Sequence, residues 1–250
     1  MTGAEPSPAA TSPVLPVHAR GLTRRYGPFK ALDEVDLTLE RGDFLTIFGP
    51  NGAGKTTLLK VLASLVRPTS GTLAVFGLDP RRAPDLVKRR IGMIAHSGYL
   101  YAGLSAADNL VFFGRMYDLP DAARRSEALL AAVGLQDRAG DLVRTFSRGM
   151  QQRLAIARAL IHDPDLVLLD EPYTGLDQHA SRMLRGILQQ VRGSGRTVVM
   201  VTHHLEEGLE VSNRIAIMSR GRLAREAPAA SLTRGALEAI YQEVVSGAAA

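Results

Sequence analysis

Short apolar runs alternate along this chain with segments in which apolar positions recur at helical spacing. The runs are typical of buried strands, which are predicted at 35–39, 44–48, 73–76, 91–95, 166–169, 197–201 and 214–218. Strands that alternate with helices in this way indicate an α/β protein. We expect a mostly parallel sheet that helices cover on both faces.

The strand pattern stops within residues 97–150, where two helical segments replace it. One is predicted to begin at Ser105, because Ser105 and Asp108 have the spacing of a capping box. The other is predicted over about 121–133 and ends at Gly134. We therefore expect a helical subdomain, at about 97–150, inserted into the α/β core.

The two ends of the chain differ from this core. Residues 1–16 are expected to be a flexible tail, because they carry one acid, no base and no apolar block of signal-peptide length. Residues 226–250 are predicted to form a short helix, at 237–245, and an alanine-rich tail. A single domain is expected over 17–225, since 250 residues with 46% apolar side chains suffice for one sizeable core.

The composition narrows the chemistry and the partners. No run approaches the roughly 18 apolar residues that cross a bilayer, so we expect a soluble chain. The absence of cysteine excludes disulfides and thiolate chemistry and suits a reducing compartment. The net charge of +5 comes mainly from arginines scattered among acids, so no nucleic-acid partner is expected. A basic run at 81–90 is either a contact patch or a solvated helix face.

The strongest motif is GPNGAGKTT, which has the pattern of a phosphate-binding loop between a strand and a helix. Its glycines let backbone N–H groups converge on phosphate oxygens, and the helix N-terminus adds positive charge. We predict that Lys55 contacts the β- and γ-phosphates, that the Thr56 hydroxyl binds Mg²⁺, and that Thr57 donates to an inner phosphate. The predicted ATP-binding residues of the loop are Gly49, Pro50, Asn51, Gly52, Ala53, Gly54, Lys55, Thr56 and Thr57.

Two acids, Asp170 and Glu171, end the apolar strand at 166–169. The carboxyl end of a strand is where α/β sheets place their ligands. Asp170 is predicted to bind Mg²⁺, and Glu171 is predicted to orient or deprotonate the attacking water. An acidic turn without chemistry would explain either acid alone. Together with the phosphate loop, the pair indicates hydrolysis of a nucleoside triphosphate.

The segment SRGMQ, which begins at Ser147, opens a helix predicted to run to about Ile161. Ser147 can cap this helix and Gly149 permits close backbone approach, so the segment is suited to binding an anion. An ordinary N-cap explains Ser147 as well when the segment is considered alone. In its place in the chain, the segment resembles the signature of the ABC ATPases. Arg148 and Met150 depart from the residues common there and are not assigned as contacts.

Further parts of the chain resemble the same family, in the same order, over 17 to about 225. Tyr26 lies where the family places an aromatic ring against adenine, although a buried core tyrosine is an alternative. The segment TGLD, which ends at Asp177, resembles the family's inter-subunit loop. His203, which follows the strand at 197–201, resembles its switch histidine, which contacts the γ-phosphate.

The resemblance implies a RecA-like, P-loop NTPase core with N-terminal antiparallel strands, and ATP and Mg²⁺ as cofactors. It also implies two such subunits facing each other head to tail, with Ser147, Gly149 and Asp177 of one completing the ATP site of the other. The second subunit is either a copy of this chain or a different one. Integral membrane permease subunits are the other expected partners, which implies a place on the cytoplasmic face of the cell membrane.

His96 is a departure from the family, which usually has a glutamine there that touches Mg²⁺ or the attacking water. A neutral imidazole can bind a metal or a water, but it titrates near neutral pH while an amide does not. We hypothesise that His96 keeps the catalytic and metal-binding role of the glutamine and makes turnover sensitive to pH.

The cargo and the class of ATPase have alternatives. The phrases SRGMQQRL and DEPYTGLD most resemble haem-exporter ATPases of cytochrome c maturation, but exporters of polysaccharides and drugs share them. An ABC ATPase acting on DNA or ribosomes is less favoured, because the interval from Lys55 to Ser147 cannot hold a long coiled coil and the chain has one set of motifs. A small-molecule kinase would lack both the signature and TGLD.

Overall fold

A computed structural model describes residues 14–95 and 99–247 of the chain. The strands are β1 (Val17–Tyr26), β2 (Phe29–Leu39), β3 (Phe44–Phe48), β4 (Ser70–Val75), β5 (Ile91–Ile94), β6 (Leu166–Asp170), β7 (Thr197–Val201), β8 (Arg214–Ser219) and β9 (Arg222–Pro228). The helices are α1 (Lys55–Leu62), α2 (Pro84–Lys88), α3 (Ala106–Met116), α4 (Ala122–Ala132), α5 (Arg148–Leu160), α6 (Gln178–Gly193), α7 (Leu205–Val211) and α8 (Arg234–Gly247).

The larger sheet has six strands in the order β5-β6-β7-β3-β8-β9. Its first five strands are parallel, and β9 runs antiparallel to β8. Every residue of β3, β6 and β7 is buried, as expected for strands covered by helices on both faces. The carboxyl ends of these three neighbours therefore meet at one edge, which brings together the loops that begin at Gly49, Glu171 and Thr202.

A smaller antiparallel sheet has the order β2-β1-β4. Its inner side chains share one core with α1, where Val17, Leu22, Leu37, Leu59 and Leu62 are all at most 2% exposed. The predicted fold class is thereby confirmed: a mostly parallel sheet, antiparallel N-terminal strands and a helical insertion. The apolar pattern did not predict β1, because arginines and a histidine interrupt its buried positions.

The inserted subdomain consists of α3, α4 and two single turns of 3₁₀ helix between β5 and α5. The predicted helix start at Ser105 is confirmed, since Ser105 Oγ accepts the Asp108 N–H at 3.0 Å and donates to Asp108 Oδ2 at 2.6 Å. Gly134 ends the α4 region in the left-handed conformation, with φ 64°. Buried side chains such as Leu110 and Leu130 join the insertion to α5 and the main sheet in one cluster.

Beyond the sheet core, α8 is longer than the helix predicted at 237–245. Strand β9 was not predicted, because it lies at a sheet edge and most of its side chains are exposed.

No helix in the described ranges is both long and apolar enough to cross a membrane. His96, most of the tail predicted at 1–16, and the last three residues of the alanine-rich tail lie outside the described residues.

The basic run at 81–90 is largely paired with acids. Arg89 lies 2.7 Å from Asp118, and Arg90 lies 2.8 Å from Asp165. Arg82 and Lys88 each have an aspartate three residues away within 4 Å. This pairing favours the interpretation as a solvated face.

Candidate active site

The phosphate loop is pressed against neighbouring backbone at two of its glycines. A Cβ atom at Gly49 would lie 2.2 Å from the carbonyl oxygen of Met218, and one at Gly54 would lie 2.2 Å from that of Ala31. Both glycines have positive φ, 155° and 104°. No other residue type fits these contacts, so β8 and β2 support the loop from outside. These long-range contacts could not be predicted from the motif.

Lys55 is held inside the curve of the loop. Its ammonium donates to the carbonyl oxygens of Gly49 at 2.7 Å and Pro50 at 3.0 Å, and the residue is only 7% exposed. Burial lowers the pKa of Lys55, while the carboxylates of Glu171 and Asp170 oppose that shift. The Lys55 ammonium is therefore close enough to both carboxylates to interact with them electrostatically.

Thr56 and Asp170, the two predicted Mg²⁺ ligands, lie in contact with each other. The Thr56 hydroxyl donates to Asp170 Oδ1 at 3.2 Å. Burial raises the pKa of Asp170, and the charge of Glu171 raises it further, while the hydrogen bond from Thr56 lowers it. A hydroxyl and a carboxylate oxygen this close are the hard ligands that Mg²⁺ prefers, and a cation would offset the cost of burying the carboxylate. The residues present therefore fit the metal.

This pair is a small ligand set. In the part of the chain that the structure describes, no group of three or more His, Cys, Asp or Glu side chains is placed to hold a metal ion. Mg²⁺ in nucleotide sites commonly takes one or two protein ligands and completes its shell with phosphate oxygens and water. The set seen here is consistent with that mode.

Glu171 turns out of β6 in a conformation that is uncommon for a residue with a side chain. Its φ is 52°, and its backbone N–H donates to the Val201 carbonyl at 2.8 Å. The carboxylate oxygen Oε2 lies 2.9 Å from Nδ1 of His203 and accepts the His203 backbone N–H at 3.3 Å. The loops after β6 and β7 are thus joined through the predicted base, Glu171, and the predicted switch histidine, His203.

The acids lie between two cavities. One, of about 260 Å³, is bordered by the phosphate loop, both acids, Phe29, Ala31 and Val201. The other, of about 650 Å³, lies under the inserted subdomain and is lined by Ala95, Tyr99, Leu100, Ala102, Val143, Arg148, Gln151, Gln152, Asp170, Glu171 and Thr174. A group that enters or moves within the cavity under the subdomain can therefore contact the two acids directly.

Tyr26 is an exposed residue and not a core tyrosine, with 45% of its surface accessible. It pairs in register with Phe29, which is 58% exposed and borders the phosphate-loop cavity. The guanidinium of Arg24 lies 4.5 Å from the Tyr26 ring centre. Phe29 was not predicted as a site residue. The only signal for it was an aromatic residue just beyond Tyr26.

The signature residues lie together, but away from the phosphate loop of their own chain. Ser147 caps α5 by accepting the Met150 N–H at 3.3 Å. A Cβ at Gly149 would lie 3.1 Å from that of Ala180, so α5 packs closely beside α6. Asp177 caps α6 through the Ala180 N–H at 2.7 Å. None of Ser147, Gly149 and Asp177 borders the cavity of the phosphate loop.

The chain belongs to the ABC transporter family, as an ATP-binding subunit: residues 32–174 match the family of that description. The chain is 40% identical over 217 residues to the ABC transporter ATP-binding protein NatA of Bacillus subtilis, and the match covers 85% of each chain. It is 38% identical to the daunorubicin/doxorubicin resistance ATP-binding protein DrrA of Streptomyces peucetius, covering 86% of this chain and 66% of that one.

Solved structures support the same assignment. A dimeric ATP-binding cassette in a post-hydrolysis state, bound to ADP and Pi, superposes with a TM-score of 0.78 at 27% identity. The match covers 85% of this chain and 98% of that one.

Proposed function

We propose that this chain hydrolyses ATP to drive an exporter, working as one of two cassettes on membrane-spanning permease subunits. The observation that carries the proposal is the contact between Glu171 and His203 beside the Thr56–Asp170 pair. A base held by a second side chain, next to a metal-binding carboxylate and a phosphate loop, is the arrangement that nucleotide hydrolysis requires. A chain that only bound nucleotide would not need such a base.

In this proposal each side chain has one task. Lys55 gives up its hydrogen bonds to the carbonyl oxygens of the loop and contacts the β- and γ-phosphates instead. Thr57 donates to an inner phosphate. Thr56 and Asp170 would hold Mg²⁺, and the bound ion would neutralise charge on the phosphates. Glu171 accepts a proton from the attacking water, and His203 orients Glu171 and contacts the γ-phosphate. Tyr26 stacks on the adenine.

A second cassette completes the site. Ser147 lies at the exposed N-terminus of α5, where the helix end favours an anion, yet it does not reach its own phosphate loop. We propose that Ser147, Gly149 and Asp177 contact the ATP held by the partner cassette. The dimeric cassette bound to ADP and Pi supports this arrangement.

The nature of the cargo is proposed from the relatives. The resistance function in the name of DrrA supports an exporter of an apolar or amphipathic organic molecule. Haem export, expected from resemblance of short phrases, stays a prediction, and so does the role of His96.

An exposed apolar surface beside the cavity under the inserted subdomain is suited to contact with a permease subunit. Tyr99, Tyr101, Phe112 and Met116 are large apolar side chains with 38–63% of their surface exposed. The rings of Tyr101 and Phe112 pack edge to face, 4.9 Å apart. Tyr99 also lines the cavity that contains Asp170 and Glu171. An apolar partner bound here would lie next to the acids, at the inner face of the membrane.

Purification from membranes tests this function. The wild-type chain is expected to hydrolyse ATP and to co-purify with an integral membrane protein. Replacement of both Tyr101 and Phe112 with serine should release that partner and leave the basal ATPase rate unchanged. Leu65→Ser, at a site that is 54% exposed, is the matched control and should retain the partner. A chain that hydrolyses ATP but co-purifies with no membrane protein would contradict the transport role.

A further inference from the structure

Arg148, the first residue of α5, lies directly on the backbone of Gly175. A Cβ at Gly175 would be 2.5 Å from both Cζ and Nε of Arg148, and 2.7 Å from its Nη1. The guanidinium therefore occupies the space that any side chain at position 175 would need. Gly175 also has a φ of 74°, in the region that favours glycine.

Gly175 belongs to the segment 171–177, which begins with the proposed base and ends with Asp177. Internal hydrogen bonds make this segment compact: the Thr174 N–H donates to the Glu171 carbonyl, and the Leu176 N–H donates to that of Tyr173, both at 3.2 Å. Tyr173 anchors it, with 1% exposure. A displacement of Gly175 is therefore passed to the backbone of Glu171, and not absorbed by a loose loop.

A second contact joins the same two parts of the chain. Gly149, next to Arg148, packs against Ala180 in the first turn of α6. The N-terminus of α5 thus contacts the segment 171–177 through Arg148 and helix α6 through Gly149. Arg148 also lines the 650 Å³ cavity with Asp170, Glu171 and Thr174, so its charge faces the space beside the acids.

We infer that Arg148 is a positioning residue that couples the signature of a subunit to the base of that same subunit. The inference rests on the proposed function, in which Ser147 and Gly149 close on ATP held by the partner. Closure moves the N-terminus of α5. Arg148 transmits that movement through Gly175 to Glu171, which lies at the other ATP site. ATP binding at one site thereby sets the geometry of hydrolysis at the second.

The first test is steady-state hydrolysis. Arg148→Ala is expected to lower kcat by about 5- to 150-fold, the fold-change to which typical coupling free energies correspond, and to reduce cooperativity in ATP toward a Hill coefficient of about 1. KM should change by less than about threefold, because Arg148 does not bind the nucleotide of its own site. Arg148→Lys should recover part of the rate. Arg144→Ala removes another exposed arginine of the same region and is the matched control.

Mixed dimers separate action within a subunit from action on the partner's ATP. When an Arg148→Ala subunit is paired with a Glu171→Gln subunit, the only working base lies in the Arg148→Ala chain. The inference predicts that this pair is slow. When a subunit carrying both substitutions is paired with wild type, the only working base lies in the wild-type chain, and the rate should match that of Glu171→Gln paired with wild type.

The inference would be overturned if the second mixed dimer were slow and the first matched the dimer of Glu171→Gln with wild type. That result would place Arg148 on the partner's nucleotide. The inference would also be overturned if both mixed dimers hydrolysed ATP at the rate of the dimer of Glu171→Gln with wild type. Failure of the proposed function would look different, because the wild-type chain itself would then show no ATP hydrolysis.

Discussion

Nδ1 of His203 lies 2.9 Å from Oε2 of Glu171, and the backbone N–H of His203 donates to the same oxygen at 3.3 Å. The two residues follow different strands, β6 and β7, which are neighbours in the sheet. One histidine thus holds the carboxylate through both its ring and its backbone. Removal of the ring leaves Glu171 with the weaker of the two contacts.

His203→Ala should therefore lower kcat by about 100-fold or more while ATP binding persists, because an oriented general base contributes about 10²–10⁴-fold. The measurement is a pair of assays, steady-state phosphate release and equilibrium binding of a fluorescent ATP analogue. His179→Ala, in the exposed first turn of α6, is the control and should match wild type. An unchanged kcat for His203→Ala would remove His203 from catalysis.

Substitution of two glycines in the phosphate loop should have different effects. At Gly49 a Cβ would overlap the Met218 carbonyl at 2.2 Å, so Gly49→Ala must displace the loop or β8. At Gly52 no atom of the described residues, apart from its chain neighbours, lies within 4 Å of the Cβ position, and alanine adds only the cost of positive φ, about 1–2 kcal/mol. We expect Gly49→Ala to lose ATP binding and to lower Tm more than Gly52→Ala. Thermal unfolding with and without ATP measures both effects. Equal losses for the two variants would contradict the close approach at Met218.

Asp170→Asn should weaken the binding of ATP only when Mg²⁺ is present. The buried carboxylate beside Thr56 is the predicted metal ligand, and its neutralisation should weaken MgATP binding by at least the roughly 10- to 100-fold that loss of an outer-shell partner of a metal ligand costs. Without the metal, the affinity for ATP should stay the same or increase, since a negative charge near the phosphates is removed. Calorimetric titrations in Mg²⁺ and in a chelator make the comparison. An equal loss in both would assign Asp170 a structural role instead.

Stability should fall in acid because of His162, which is remote from the phosphate loop. Burial is the main cause that lowers the pKa of His162 to about 4, and its ring stacks on Tyr117 with 3.8 Å between the ring centres. Below its ordinary pKa of 6.5, the unfolded chain takes up a proton that the folded chain refuses until about 4. The free energy of unfolding should therefore decrease as the pH falls through this window, by about 2 kcal/mol at about pH 5.

The check is urea unfolding at about pH 7 and about pH 5. His162→Gln removes the titrating group, so its loss of stability between the two pH values should be smaller by a similar amount. If His162→Gln shows the full wild-type dependence, other groups cause it.

The sequence was most informative where a local pattern and its chemistry coincide. The phosphate loop, the acids at the end of β6 and the caps at Ser105 and Ser147 depend on residues within a few positions of each other. The contacts between Arg148 and Gly175, and between Glu171 and His203, join residues distant in sequence, and no local pattern encodes them. Phe29 was missed for the same reason, since its place beside the loop depends on how the smaller sheet packs on the core.

In the proposed function two cassettes share each ATP site, and Glu171 is the base. Light scattering of the Glu171→Gln variant, with and without MgATP, tests both parts in one measurement. We predict a monomer without nucleotide and a stable particle of twice the monomer mass with ATP, together with phosphate release about 100-fold or more below wild type. A variant that binds ATP and stays monomeric would contradict the shared site, and one that hydrolyses ATP at the wild-type rate would contradict the role of Glu171 as the base.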